Sequence, residues 1–209
     1  MLRWSLRIVA TLVIALCAFE AYRVLDAARN LEARMAPFVT QAPSLSAWQL
    51  DAIVRVQDPT FRSHRGIEWP SPLTTTTITQ SLVKKLFFVD FRPGFQKLEQ
   101  TLVAALVVDP GVSKDLQLRA FSQAAYFGHR DGQSVIGFEE AARTWFGASL
   151  EALTKDQFLS LLAMLPSPNT LVPGSTQAAD RVKRINRLLA SQCVHTRIAD
   201  IWLEQCSAQ

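Results

Sequence analysis

The sequence predicts an all-α domain that follows a hydrophobic N-terminal helix. Apolar residues recur at helical spacing through most of the 209-residue chain, two capping-box patterns mark helix starts, and no long segment alternates with period two. The chain is 49% hydrophobic and 19% charged, which is too apolar for a disordered protein. One domain with a sizeable core is therefore expected beyond the N-terminal helix.

Residues 1–30 are predicted to form a membrane anchor. Arg3 and Arg7 precede an uncharged apolar run over residues 8–19. That run is shorter than the roughly 20 residues that span a bilayer. A helix over about residues 4–25 is long enough if its charged side chains lie at the two interfaces. The two arginines predict a cytoplasmic N-terminus and an exported C-terminal body.

A cleaved signal peptide is the alternative for the same segment, because it also has basic residues ahead of a short apolar core. Cleavage requires small residues one and three positions before the cut. Ala18 and Ala21 each have a large residue, Leu16 or Phe19, at the earlier position. An uncleaved, single-pass anchor with an exported domain is therefore favoured.

Residues 31–44 are predicted to be a linker, since Pro37 and Pro43 interrupt them, and residues 45–209 are predicted to form the helical domain.

Several helices are predicted within this domain. Capping boxes begin at Thr77 and at Thr154. Arg181 is expected on the solvent side of the last helix. Helices are predicted over 45–56, 77–87, 97–108, 113–125, 134–146, 154–165 and 180–189, the third stopped by Asp109-Pro110-Gly111 and the fifth by Gly147.

The composition argues against zinc-centred and nucleic-acid-binding functions. Three cysteines and three histidines are scattered, with no spacing typical of a zinc site. The net charge is +4, and the basic residues never cluster beyond pairs, as a nucleic-acid-binding arm would require. Cys193 and Cys206 lie outside the anchor. In an exported body they are expected either to form a disulfide or to remain two buried thiols.

Two stretches of the domain carry motifs. Residues 57–67 read Q-D-P-T-F-R-S-H-R-G-I, and residues 74–87 read T-T-T-T-I-T-Q-S-L-V-K-K-L-F. The first resembles the E-D-x-x-F-x-x-H-x-G motif of glycosyltransferase family 51, and the second resembles its G-G-S-T-I-T-Q-Q-L-x-K-N-L-F motif. That family contains the peptidoglycan glycosyltransferase domains of class A penicillin-binding proteins and the monofunctional transglycosylases. Shorter matches follow in the family's order at Gln96-Lys97, Ser113-Lys114, Phe127-Gly128, Trp145-Phe146-Gly147 and Leu165-Pro166.

The resemblance covers roughly residues 52–189 and implies a lysozyme-like α fold at the outer face of the cytoplasmic membrane. It implies that the protein acts on or binds lipid II, the lipid-linked peptidoglycan precursor, in glycan chain polymerisation. It also implies the membrane and other cell-wall synthases as partners, and a divalent cation, which some family members use.

The resemblance also assigns site residues. Gln57 takes the place of the family's base glutamate and Gln100 that of a second glutamate, so Asp58, Glu99 and Glu68 are the carboxylates available as substitutes. His64 is expected to be a structural hydrogen-bonding group, and the free N–H groups at the start of the helix after Thr77 are expected to receive an anion. The substrate-binding residues implied are Phe61, His64, Thr76, Thr77, Thr79, Gln80, Lys84, Lys97 and Lys114.

The glutamine at position 57 leaves two hypotheses open. Chain extension needs a base that takes the proton from a sugar 4-hydroxyl, and cations that hold the departing lipid diphosphate. A carboxylate can serve as that base, whereas a neutral amide has no usable basicity. The protein is either an active peptidoglycan glycosyltransferase that recruits Asp58 or Glu99, or a non-catalytic relative that binds precursor, glycan or a synthase.

Overall fold

The structure is a computed structural model that describes residues 2–40, 45–70 and 75–207. The helices are α1 (Leu2–Thr40), α2 (Ala47–Gln57), α3 (Ile78–Phe87), α4 (Phe95–Val103), a π-helical stretch (Ala104–Val108), α5 (Asp109–Gly111), α6 (Lys114–Ala124), α7 (Phe138–Phe146), α8 (Lys155–Met164) and α9 (Thr176–Leu189). Strands β1 (Tyr126–Arg130) and β2 (Gln133–Ile136) lie between α6 and α7, and 3-10 turns cover Leu150–Ala152 and Glu204–Cys206. The predicted all-α class is confirmed, with one hairpin added.

The hairpin corrects the predicted helix over 134–146, which begins only at Phe138. Residues Gln133–Ile136 instead pair antiparallel with β1. Asp131 and Gly132 connect the strands, both with positive φ, as a two-residue hairpin turn requires. This Asp-Gly signal outweighs the helical spacing of the apolar residues that follow it.

The N-terminal helix is continuous over 39 residues, about 58 Å at 1.5 Å per residue. Its first half exposes apolar side chains, whereas Ala27 and Met35 are buried against the domain. Residues 31–40, which include the buried Met35, continue the helix, and Pro37 lies inside it. They form most of the predicted linker, and the remainder, 41–44 with Pro43, lies outside the described residues.

Helix starts agree with the capping predictions. Thr77 and Thr154 each accept a hydrogen bond from the backbone N–H three residues later, and the side-chain oxygen of the glutamine there accepts one from the backbone N–H of the threonine. The helix predicted to stop before Asp109 continues instead through the π-helical stretch and α5 to Gly111. Gly66 packs beside this stretch with φ +78°, and a Cβ there would lie 2.5 Å from the carbonyl oxygen of Ala104.

Two hydrophobic clusters organise the domain. One is formed mainly by α2, α7, α8 and α9 with the hairpin, and the other by α1, α3, α4 and the π-helical stretch. Ile78 of α3 and Phe121 of α6 belong to the first cluster, whereas Leu82 of α3 and Ala120 of α6 belong to the second. Helices α3 and α6 therefore lie between the two clusters.

The C-terminal segment folds back over α9. Cys193 and Cys206 form a disulfide with a Cα–Cα distance of 5.3 Å, which resolves the two alternatives for these cysteines. Arg181, expected on the solvent side of α9, is only 4% exposed. Its guanidinium lies 5.8 Å from the centre of the Trp202 ring, so the segment that covers α9 explains the burial.

Candidate functional site

A cleft of about 520 Å³ opens where the C-terminal ends of α2 and α8 meet the start of α3. Gln57 ends α2, and Thr75, Thr76 and Thr77 lead into α3. The full lining is Gln57, Thr75, Thr76, Thr77, Ile78, Ser81, Lys84, Lys85, Phe121, Ala125, Tyr126, Leu165, Pro166, Pro168, Ile198, Ala199 and Ile201. The structure therefore brings Gln57, Thr76, Thr77 and Lys84, four of the predicted site residues, to one cavity. Thr74 of the same motif lies outside the described residues.

The start of α3 is fixed by internal hydrogen bonds. Thr77 Oγ1 donates to the Gly66 carbonyl at 2.7 Å and accepts from the backbone N–H of Gln80 at 2.9 Å. The Ile78 amide donates to Asp58 Oδ2 at 2.9 Å. Two N–H groups that were expected to receive an anion are thus already bound within the protein.

Asp58 is fully buried between α2 and α3. Besides the Ile78 amide, it contacts His64, whose Nε2 lies 2.9 Å from Oδ2. His64 is thus a hydrogen-bonding group, as expected from the sequence. Asp58 ties the residues after α2 to the N-terminus of α3, where the helix dipole favours a negative charge.

Thr76 shares a cavity with two lysines. Lys97 Nζ donates to the Thr75 carbonyl at 2.7 Å and to Thr76 Oγ1 at 3.1 Å. Burial and the nearby charge of Lys84 lower the pKa of Lys97 to about 8. Burial, with a smaller contribution from Lys84, also lowers the pKa of Lys85. A second cavity of about 450 Å³ contains Thr76, Lys84 and Lys97. We call Thr76, Lys84 and Lys97 the cationic site.

Neither Glu99 nor Gln100 belongs to the lining of the Gln57 cleft. Glu99 Oε1 accepts from Arg23 Nε of α1 at 2.9 Å. Gln100 lies beside the second cavity, and its Nε2 donates to the Gln80 carbonyl at 2.6 Å. Glu68 accepts from the backbone N–H of Ile198 at 3.2 Å. Each candidate substitute for the family's glutamate is therefore engaged elsewhere.

The remaining predicted residues support the site from within. Phe61 is fully buried, and Lys114 Nζ lies 2.6 Å from Asp109 Oδ1 and 4.5 Å from the centre of the Phe61 ring. Thr79 Oγ1 donates to Gln117 at 2.7 Å, and Gln80 Nε2 donates to Thr101 at 3.0 Å. These contacts place Phe61, Thr79, Gln80 and Lys114 in the scaffold behind the cleft.

Several lining residues were missed from the sequence. Lys85 lies within the second motif and Tyr126 precedes the Phe127-Gly128 match, so their positions in the chain were a usable signal. Ile198, Ala199 and Ile201 come from the C-terminal segment, where no motif indicated a role. Only the folding of that segment over α9 brings them to the cleft.

The lining of the cleft, as far as the structure describes it, contains lysines and hydroxyl groups but no acidic residue. All 18 Asp and Glu residues fall within the described ranges, and none belongs to the lining. Gln57 Nε2 is buried and has no hydrogen-bond partner among the described residues. The lining can hold an anion and donate hydrogen bonds, but it offers no carboxylate to accept a proton.

A divalent cation does not fit these residues. Hard cations such as Mg²⁺ require carboxylate and other oxygen ligands. No group of three or more His, Cys, Asp or Glu residues comes together within the described ranges. The two glutamate positions implied by the resemblance hold Gln57 and Gln100, which supply no negative charge.

Comparisons with known proteins place this geometry in context. A family model described as transglycosylase matches residues 25–192. Penicillin-binding protein 1B of Vibrio cholerae is 30% identical over 141 residues, which cover 59% of this chain and 18% of that protein. The biosynthetic peptidoglycan transglycosylase of Alcanivorax borkumensis is 30% identical over 132 residues, 56% of this chain and 52% of the relative. That of Nitrosospira multiformis is 26% identical over 163 residues, 71% and 67% respectively. The chain thus spans about a fifth of the first relative and about half of the second.

Proposed function

The chain belongs to the transglycosylase family, and on that premise we propose that it binds a lipid-linked peptidoglycan precursor without polymerising it. The precursor is lipid II, and binding takes place in the Gln57 cleft at the outer face of the cytoplasmic membrane. The observation that carries this proposal is the composition of the cleft, whose described lining has lysines and threonines but no carboxylate.

The chemistry of chain extension explains why that composition matters. A sugar hydroxyl must lose its proton as it attacks the anomeric carbon, and positioned general bases typically contribute about 10²–10⁴ in rate. Gln57 can orient a hydroxyl but cannot take its proton. Asp58 and Glu99 would have to leave the partners that hold them, the Ile78 amide and Arg23, before either could act.

Binding of the precursor does not depend on the missing base. In the cationic site Lys97 contacts the Thr76 hydroxyl and Lys84 lines the same cavity, a combination of charges and hydroxyl that suits a diphosphate group. A bound phosphate would favour the charged form of Lys97, which burial disfavours in the free protein. Lys84, Lys97 and Thr76 can therefore bind the diphosphate although the cleft lacks a base.

The membrane assignment rests on α1. This helix is long and apolar enough to cross a bilayer, and its large apolar side chains from Trp4 to Phe19 are exposed. A helix that protrudes in this way suits a lipid environment. We assign the N-terminus to the cytoplasm and the domain to the periplasm from Arg3 and Arg7. Other cell-wall synthases are the proteins with which a precursor-binding relative would act.

An active glycosyltransferase is the second candidate, and family membership favours it. The two candidates differ in one measurable property, the formation of glycan chains from lipid II. The test uses the full chain in detergent micelles, with labelled lipid II for polymerisation and the same ligand for binding.

We expect wild-type protein to bind lipid II and to form no polymer above background. Lys84→Ala should weaken binding about tenfold, since charge-assisted hydrogen bonds are the stronger class. Lys183→Ala removes an exposed lysine on α9 and serves as the control. Robust polymerisation by the wild-type protein would overturn the binding-only proposal. Unchanged affinity in Lys84→Ala, or an equal loss in Lys84→Ala and Lys183→Ala, would overturn the assignment of Lys84.

A further inference from the structure

The disulfide-closed segment of residues 193–206, here called the C-terminal loop, forms part of the cleft. It lies outside residues 25–192, which the family model matches. Three of its residues, Ile198, Ala199 and Ile201, nevertheless belong to the lining that contains Gln57 and Lys84. This part of the wall is therefore contributed by a segment that family membership does not explain.

Specific contacts hold the C-terminal loop in place. Arg184 Nη1 donates to the Trp202 carbonyl and pairs with Glu204, both at 3.0 Å. The Ile198 amide donates to Glu68 at 3.2 Å, and the Leu203 side chain is fully buried. The disulfide closes the loop between residues separated by 13 positions. The loop is thus a fixed wall of the cleft.

The surface that the loop presents is apolar. Ile198 and Ile201 join Phe121, Leu165 and Pro168 in the lining, whereas Thr76 and the lysines supply its polar part. A ligand that fills the cleft therefore needs both an anionic group and C–H surface. Lipid-linked precursors offer C–H surface on both sides of the diphosphate: the prenyl chain on one side, and on the other the headgroup, in which sugar rings with acetyl methyl groups adjoin the diphosphate and carry a peptide.

The position of the anchor distinguishes these two sources. Helix α1 packs against α3, α4, α6 and the π-helical stretch, which places the membrane on the side of the second hydrophobic cluster. The C-terminal loop packs against α9, and its Leu203 and Cys206 belong to the first cluster. The prenyl chain must stay with the membrane, so the ligand surface beside the loop belongs to the headgroup. Because Ile201 shares the cleft with Lys84, which is assigned to the diphosphate, the part of the headgroup beside the loop is the sugar attached to that diphosphate.

We infer that the C-terminal loop is the sugar-contacting wall of the cleft, with Ile201 as a specificity-determining contact and the disulfide as the bond that positions it. This inference rests on the proposed function, because it assumes a lipid-linked precursor in the cleft. Apolar contact with sugar C–H faces stabilises the complex by removing both surfaces from water.

The test compares two ligands that share the lipid diphosphate. Lipid II carries the sugars and undecaprenyl diphosphate lacks them. Ile201 is 43% exposed, so Ile201→Ser should fold normally, and Val194, 63% exposed in the same loop and outside the lining, provides the control Val194→Ser. We expect Ile201→Ser to weaken lipid II binding about fivefold and to leave undecaprenyl diphosphate binding within about twofold. Val194→Ser should change neither affinity.

The double variant Cys193→Ser/Cys206→Ser tests the positioning role of the disulfide and should give the same selective loss. If that variant fails to fold, Ile201→Ser alone decides the inference. Equal weakening of both ligands, or no weakening in Ile201→Ser, would overturn the sugar-contacting wall while leaving precursor binding intact. Failure of the wild-type protein to bind lipid II would instead overturn the proposed function, and this inference with it.

Discussion

Arg23 of the anchor helix pairs with Glu99 of α4 across 76 residues of sequence. Arg23 Nη2 lies 2.8 Å from Glu99 Oε1, and Nε donates to the same oxygen at 2.9 Å. Lys97 of the cationic site lies on the same short helix as Glu99. The ion pair therefore connects the membrane anchor to the helix that positions Lys97, and it also holds one carboxylate away from the cleft.

We predict that Arg23→Ala destabilises the protein by about 2 kcal/mol, because Glu99 is left buried without its partner. Adding Glu99→Gln should recover part of that loss, since the amide carries no charge. Denaturant titration of the full chain in micelles measures both. Arg62 and Asp115 form an exposed pair at 2.6 Å, and Arg62→Ala should cost less than about 1 kcal/mol. Equal losses in Arg23→Ala and Arg62→Ala would contradict the buried role of the Arg23–Glu99 pair.

Gly66 gives a second stability prediction. Gly66 and Gly132 have nearly the same φ, +78° and +77°, but a Cβ on Gly132 meets nothing within 4 Å. Gly132→Ala should therefore lower the free energy of unfolding only by the cost of holding alanine in the left-handed conformation, about 1–2 kcal/mol. Gly66→Ala adds the clash with the Ala104 carbonyl, so its total cost should exceed about 3 kcal/mol. Similar melting temperatures for the two variants would show that the π-helical stretch shifts at little cost to accommodate the added Cβ.

The helix starts were predictable because their causes are local. The capping boxes at Thr77 and Thr154 satisfy backbone donors within three residues, so the sequence alone indicates them. The hairpin was equally local, and its Asp131-Gly132 turn was a usable signal that the helical spacing obscured. Arg181 differs, because its burial depends on a segment that returns over α9 from further along the chain.

The motifs named residues of the site without indicating their contacts. Gln57 and Lys84, which belong to different motifs, line one cleft, although Lys84 lies in the last turn of α3. The roles of Asp58 and Glu99 depend on partners 20 and 76 residues away, so no local pattern indicates them. Ile201 reaches the cleft only through tertiary packing of the C-terminal loop.

The orientation of the anchor can be measured directly. Arg3 and Arg7 should retain the N-terminus in the cytoplasm, so a reporter that is active only in the periplasm should work when fused after Gln209. A reporter that is active only in the cytoplasm should stay inactive when fused at the same place, so the two reporters together establish the orientation. The reverse pattern would place the cleft on the wrong side of the membrane for lipid II at its outer face.

Precursor binding should depend on pH through Lys97. Its pKa of about 8 lies below the usual lysine value of 10.5, so the side chain is charged below pH 8 and loses its proton above it. Because an anion binds the charged form, affinity should be greatest below pH 8 and fall by up to about tenfold per pH unit above it. Lys97→Arg stays charged throughout and should give a flatter profile up to pH 10. Identical profiles for the two proteins would exclude Lys97 as the titrating contact.

Gln57→Glu tests whether the missing base is the main obstacle to catalysis. The substitution restores a carboxylate at the end of α2 with almost no change in volume, in a cleft where Lys84 remains available for phosphate. We expect lipid II polymerisation to rise above background by up to about 10²–10⁴. Gln192→Glu adds the same charge outside the cleft lining and should have no effect. Polymerisation that stays at background in Gln57→Glu, with lipid II binding retained, would mean that the missing carboxylate is not the main obstacle to catalysis. Restored activity would instead show that the cationic site still holds a diphosphate in a reactive position.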